Sequence, residues 1–175
     1  MNNYAVSSDG IATALQDSAS SLMAANNSYQ EAVALIASAN KVVQDPNSVG
    51  SALRTISLRL RGTSTTDLEN AGEETDGAIT SKSKLRSKIK GLSGIDILTD
   101  SGAYKSTYEI LLEISKVWDD MTDMNRAGLL EIIAGKTRSN TAAAILSNTE
   151  DLQNAYQDAM DAEGKMHCLN VQKCA

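Results

Sequence analysis

The chain has 175 residues, a net charge of −6 and 42% hydrophobic residues, yet only 3% are aromatic and Phe is absent. A single Pro argues for helices and against a turn-rich β fold, and the acidic balance argues against a nucleic-acid binder, which needs a basic face. No basic leader and no long apolar run are visible, so neither a secretory signal nor a membrane span is expected. A chain of this length suits one compact domain that buries roughly 70% of its unfolded surface, in a core of Ala, Leu, Ile, Val and Met.

Met1 to Tyr4 reads as a loose end. Ser8-Asp9-Gly10 predicts a helix start, after which Ile11, Leu15, Ala19, Leu22 and Met23 recur at helical spacing. Asn26-Asn27-Ser28 breaks that pattern, and Ser28 with Glu31 has the spacing of a capping box. Ala32, Leu35, Ile36, Ala39 and Val43 then form one stripe. Asp45-Pro46 ends this second helix and begins a third, because Pro fits a first turn and its predecessor avoids helical angles. Val49, Ala52, Leu53, Ile56 and Leu60 carry the third helix to Gly62. Residues 1–62 are thus expected to be N-terminal helices packed as antiparallel neighbours.

Residues 63–80 form a polar excursion made acidic by Asp67, Glu69, Glu73, Glu74 and Asp76. A basic run follows: Lys82, Lys84, Arg86, Lys88 and Lys90. The two runs read as solvated faces close enough to pair across a turn, each exposed pair being worth ~0–1 kcal/mol. Leu85, Ile89 and Leu92 predict a short helix with one buried side.

The core region is expected over 81–164. Ile95 to Leu98 is too brief and too β-branched for a helix, and Asp100-Ser101-Gly102 carries turn chemistry, so a short β-hairpin or extended turn is expected near 95–104. Ser106 or Thr107 caps a helix bearing Ile110, Leu111, Ile114, Val117 and Trp118, with Glu109 favouring its positive end. Thr122 or Asp123 caps another, bearing Leu129, Leu130, Ile132 and Ile133 and ended by Gly135 in the left-handed conformation. These two helices are the expected core hairpin. Ser139 or Asn140 starts a further helix ending near Asn148. Thr149 starts the last, with Leu152, Ala155, Tyr156 and Ala159 on one face, and it is expected to end near Gly164. Residues 165–175 read as an irregular tail. The fold class is all-α, an antiparallel multi-helix bundle.

No constellation of residues reads as catalytic. Gly135-Lys136-Thr137 resembles the end of a phosphate-binding loop, but Leu130 stands where that pattern needs Gly, and a helix precedes it instead of a strand. Asp96, Asp100 and Gly102 miss the spacing of a calcium loop, with Leu98 in a ligand position. Asp119, Asp120 and Asp123 read as a capped, solvated helix junction. His167, Cys168 and Cys174 supply three metal donors with no fourth nearby, and the two cysteines read as free thiols in a reducing compartment. A lone His removes most general-base schemes. The expectation is no enzyme, no cofactor and no catalytic or metal residue.

From Ser28 to about Gly164 the chain resembles the helical region of tail tape-measure proteins from long-tailed phages of Gram-positive hosts. The matching blocks are VVQDPNSVGSALRTISLRLRG at 42–62, the stretch from Ile95 to Leu146, and NTEDLQNAYQDAMDAEG at 148–164, in the family's order and spacing. The resemblance implies a structural role in tail assembly and tail-length determination, inside the tail-tube lumen of the virion and in the bacterial cytoplasm during assembly. It implies tail-tube, tail-chaperone or baseplate proteins as partners. This chain is much shorter than the family's full proteins, and Met166 to Ala175 departs from the family's continuation. The alternative is a stand-alone helical binding or adaptor module of prophage origin. Because the first helices carry narrow, Ala-rich stripes, self-association is also expected, with Leu15, Leu22, Leu35, Val43 and Leu53 as candidates for the shared surface.

Overall fold

A computed structural model describes the backbone of residues 7–173 and the side chains of residues 7–164. The helices are α1 (Ser8–Ala24), α2 (Tyr29–Val43), α3 (Pro46–Leu60), α4 (Thr65–Asn70), α5 (Lys82–Ser93), α6 (Thr107–Val117), α7 (Asp123–Leu146) and α8 (Thr149–Lys173). A 3-10 turn, Trp118–Asp120, follows α6. Among the described residues there is no strand; one antiparallel bridge, Leu98 with Tyr104, closes the turn expected near 95–104. The fold is therefore all-α. Met1 to Tyr4 lies outside the described residues.

The helix starts follow local chemistry. Ser7, Ser28, Ser64, Ser106 and Thr122 each accept a hydrogen bond from a first-turn amide of the helix they precede. Ser28 with Glu31 and Ser106 with Glu109 complete reciprocal capping boxes. Asp45 caps α3 ahead of Pro46. Caps of this kind contribute about 1 kcal/mol each.

One hydrophobic cluster joins the first helices to the last, running from Ala14 and Leu22 through Leu35, Leu53 and Ile56 to Leu111, Ile133, Ile145 and Leu152. Its centre is α2 and α3. α3 packs on α1, α2, α6 and α7, and α2 also packs along α8. The expected core hairpin, α6 with α7, therefore lies beside the centre of the fold. Lys41 with Asp151 at one end and Gln30 with Glu163 at the other set α2 and α8 antiparallel.

In α1 the buried row is Gly10, Ala14, Ser18 and Leu22, one step away from the expected stripe; Met23 is exposed and Ile11 and Leu15 are half-buried. Small residues win that face because α1 lies against the backbone of α3. A Cβ on Gly50 would stand 2.5 Å from the Ala14 carbonyl oxygen. This close approach covers the Ala-rich helices within one chain. Leu22, Leu35 and Leu53 are fully buried, so they are core and cannot line a partner surface, while Leu15 and Val43 are partly covered.

Two boundaries differ from expectation. Helix α8 runs through Gly164 to Lys173, replacing most of the expected irregular tail 165–175. Gly weakens a helix by roughly 1 kcal/mol but ends it only by turning left-handed, and Gly164 keeps a negative φ. Nor does a new helix begin at Ser139 or Asn140, because α7 resumes directly after Gly135.

Candidate functional site

Gly135-Lys136-Thr137 marks the most unusual backbone in the fold. Gly135 has φ 67° and ψ −172°, which breaks α7 into two helical runs. Such a break leaves carbonyls at the end of the first run and amides at the start of the second without helical partners. Arg59, from the buried face of α3, supplies the donors. Its Nη1 donates to the carbonyls of Glu131 (3.1 Å) and Ile132 (3.4 Å), and its Nη2 to those of Glu74 (2.5 Å) and Asp76 (2.9 Å). Glu74 supplies the acceptor. Its Oε2 takes hydrogen bonds from the amide (3.1 Å) and the hydroxyl (3.0 Å) of Thr137.

Those bonds, the Thr137 amide first, hold the Glu74 carboxyl below its ordinary value. Burial lowers the Arg59 pKa, and the carboxylates of Glu74, Glu73, Asp76 and Glu131 oppose that. Glu73, also buried, accepts from Arg54 Nε (2.6 Å) and from the Thr55 hydroxyl. The amide that would meet a phosphate in a nucleotide loop thus already holds a carboxylate of the same chain. This is a structural junction, tightly packed at Gly135: a Cβ there would meet Glu74 Oε2 at 2.7 Å and Arg59 Nη2 at 2.9 Å.

The acidic excursion and the basic run do not pair with each other. Glu73 pairs with Arg54 and Asp76 lies 3.6 Å from Lys136, so the excursion folds over α3 and α7. The basic run turns the other way. Lys82, Arg86 and Lys90, four residues apart, share one side of α5. They line an open cavity of about 560 Å³ against Ile97, Leu98 and Tyr104. Arg86 grips Asp96 with both arms of its guanidinium, at 2.8 and 2.7 Å, and Lys90 adds a contact at 3.3 Å. The Arg86 hydrogen bonds hold the Asp96 carboxyl far below the usual carboxylate range. Arg61 lies 4.5 Å above the Tyr104 ring, and Lys82 is 5.9 Å from the same ring. Lys105, at the far end, is paired with Glu113.

Asp96 is thereby an anchor for α5, while Asp100 is exposed on the adjoining turn, so the two do not form a calcium loop. At the α6–α7 junction, Arg126 donates to the carbonyls of Trp118 and Asp119, both at 2.8 Å, and stacks 5.5 Å over the Trp118 ring. Asp119, Asp120 and Asp123 stay exposed around it. Among the described residues no group of three His, Cys, Asp or Glu side chains is placed to hold a metal. The side chains of His167 and Cys168, and the whole of Cys174, lie outside the described residues. No described helix is long and apolar enough to cross a membrane.

Sequence patterning misses Arg59 and Glu74. One signal for Arg59 is visible in retrospect: it stands between Ile56 and Leu60 on a face that is otherwise apolar. Glu74 carries no signal, because its partner is 63 positions away. Comparison with protein-family models, curated proteins and solved structures finds no match.

Proposed function

We propose that the chain is a structural segment of phage tail tape-measure type, acting without catalysis through helix–helix contacts with tail components and with itself. The observation that carries this reading is the block order. Residues 42–62, 95–146 and 148–164 resemble consecutive blocks of that family, and in this fold they build α3, the turn with α6 and α7, and the first part of α8. Each block supplies packing surfaces: Leu53 and Ile56, Ile114 and Ile133, Leu152 and Ala155 are all buried.

Co-expression with the tail-tube, tail-chaperone and baseplate proteins encoded beside this gene tests the reading. A stable complex with one of them is the expected outcome. A neighbourhood without tail genes, or no complex with any of these proteins, overturns it. A clear lysis band on zymography of the purified chain overturns the non-catalytic part.

A further inference from the structure

We infer that the groove between α5 and the 96–104 turn docks the acidic α6–α7 junction of a second copy of this chain, with the Met124 side chain entering the groove between rows of opposite charge. This deepens the self-contact part of the proposed function and does not depend on the phage context.

The charge distribution is the first support. Helix α5 carries Lys82, Lys84, Arg86, Lys88 and Lys90, and no acidic residue lies between Asp76 and Asp96. Setting those five aside leaves 11 basic against 22 acidic residues in the rest of the chain. A long polyanion on α5 would run on over strongly acidic surface, which disfavours nucleic acid and favours a compact acidic partner. Another copy of this chain supplies one.

The groove itself is the second support. Lys82, Lys84 and Lys88 have no ion pair among the described residues. Arg86 and Lys90 share the single carboxylate of Asp96, yet stay 47% and 58% exposed. Their charge is therefore accessible to a second carboxylate. Ile97, Leu98 and Tyr104 give the groove an apolar floor beneath that cationic side.

The third support is the matching surface. Asp119, Asp120 and Asp123 are exposed within five positions of one another, next to Met124, which is the most exposed large hydrophobic residue described, at 84%. Arg126 is held by the Trp118 and Asp119 carbonyls and approaches Asp123 only to 3.8 Å. An unbranched, polarizable Met suits an irregular apolar groove. The acidic face of α8 is the weaker match, because Asp151 is paired with Lys41, Glu163 with Gln30 and Asp161 with Gln157, and its Met160 is about half as exposed as Met124, at 41%. Since groove and junction are different surfaces, each copy offers both, and the contact repeats head to tail.

Charge reversal at both ends tests the docking with the full chain under reducing conditions. One variant carries K82E and K90E, the other D119K, D120K and D123K; Arg86 is kept so that Asp96 stays anchored. Sedimentation velocity from micromolar to millimolar protein is expected to show self-association of the wild type that weakens sharply between about 0.1 M and about 1 M salt, as the screening length contracts from ~10 to ~3 Å. Each variant alone is expected to associate at least about tenfold more weakly, and an equimolar mixture to recover association. The neutral substitution M124S is expected to weaken it without changing the salt dependence. A wild type that stays monomeric throughout overturns the inference. So does association that survives both reversals, or a mixture of correctly folded variants, judged by circular dichroism, that fails to associate. Failure here leaves a tail-protein complex untouched, and the reverse also holds.

Discussion

Arg59 is a charged side chain, 2% exposed, whose two Nη groups serve backbone carbonyls while its buried Nε has no hydrogen-bond partner. Its fork meets carbonyls from two separate segments, a geometry a point-like ammonium cannot reproduce. Replacing Arg59 with Ala leaves those buried and part-buried carbonyls without donors and opens a cavity beside Gly135. The expected loss is about 3–5 kcal/mol in urea denaturation, with Arg59→Lys intermediate. Glu74 is expected to show its role through pH. Its folded pKa lies below the unfolded value of 4.5, so its contribution is complete above 4.5 and disappears as pH falls through the folded value. Glu74→Gln keeps an acceptor without the charge. The stability gap between wild type and E74Q is expected to shrink between about pH 7 and about pH 3, and a gap that widens in acid would contradict the cap.

At the scale of elements, much was legible because the signals are local. The Ser28 and Ser106 caps, the Asp45-Pro46 boundary, the turn before Ser106 and the apolar face of α6 all depend on residues a few positions apart. What was not legible depends on neighbours in space. The buried row of α1 shifts because Gly50 and Ala14 let two backbones meet. The stop at Gly135 was legible from the Gly itself, but its extended ψ and the restart of the helix directly after it rest on Arg59 and Glu74 from outside α7, which no periodicity within residues 123–146 encodes. The backbone at Gly135 belongs to a region that only Gly enters readily. Gly135→Ala is therefore expected to cost on the order of 2–4 kcal/mol, from strain together with the clash against Glu74 and Arg59. Thermal unfolding followed by circular dichroism measures it, and a cost near zero would mean the break can relax.

For the whole molecule, the composition correctly pointed to helices packed with few aromatics. The polar contacts were less legible: the Gly135 stretch became an internal junction through Arg59 and Glu74, Glu73 and Asp76 turned to Arg54 and Lys136, and Arg86 and Lys90 turned to Asp96. Since one cluster links α1 to α8, the helices before Gly62 and those after Ser81 are expected to unfold together. Trp118, the only Trp, sits at the α6–α7 turn, far in sequence from the first helices. Urea curves from Trp118 fluorescence and from far-ultraviolet circular dichroism are expected to coincide. Separate midpoints would show that the N-terminal helices are an independent unit.

The Gly135 junction also has a consequence for the order in which the chain folds. Its bonds span 72 positions from Arg59 to Glu131, 15 from Arg59 to Glu74 and 63 from Glu74 to Thr137. No local segment can assemble it, and the two runs of α7 can each form beforehand with their ends still wet. The lock closes only after α3, the acidic excursion and α7 have met, which places it on the native side of the folding barrier. Arg59→Lys is then expected to leave the refolding rate almost unchanged and to accelerate unfolding, with a φ-value below about 0.3 in a stopped-flow chevron. A slowed refolding limb would instead make this junction part of the nucleus. If it closes late, Arg59 and Glu74 set how long the folded molecule lasts, while the capped local helices set how fast it forms.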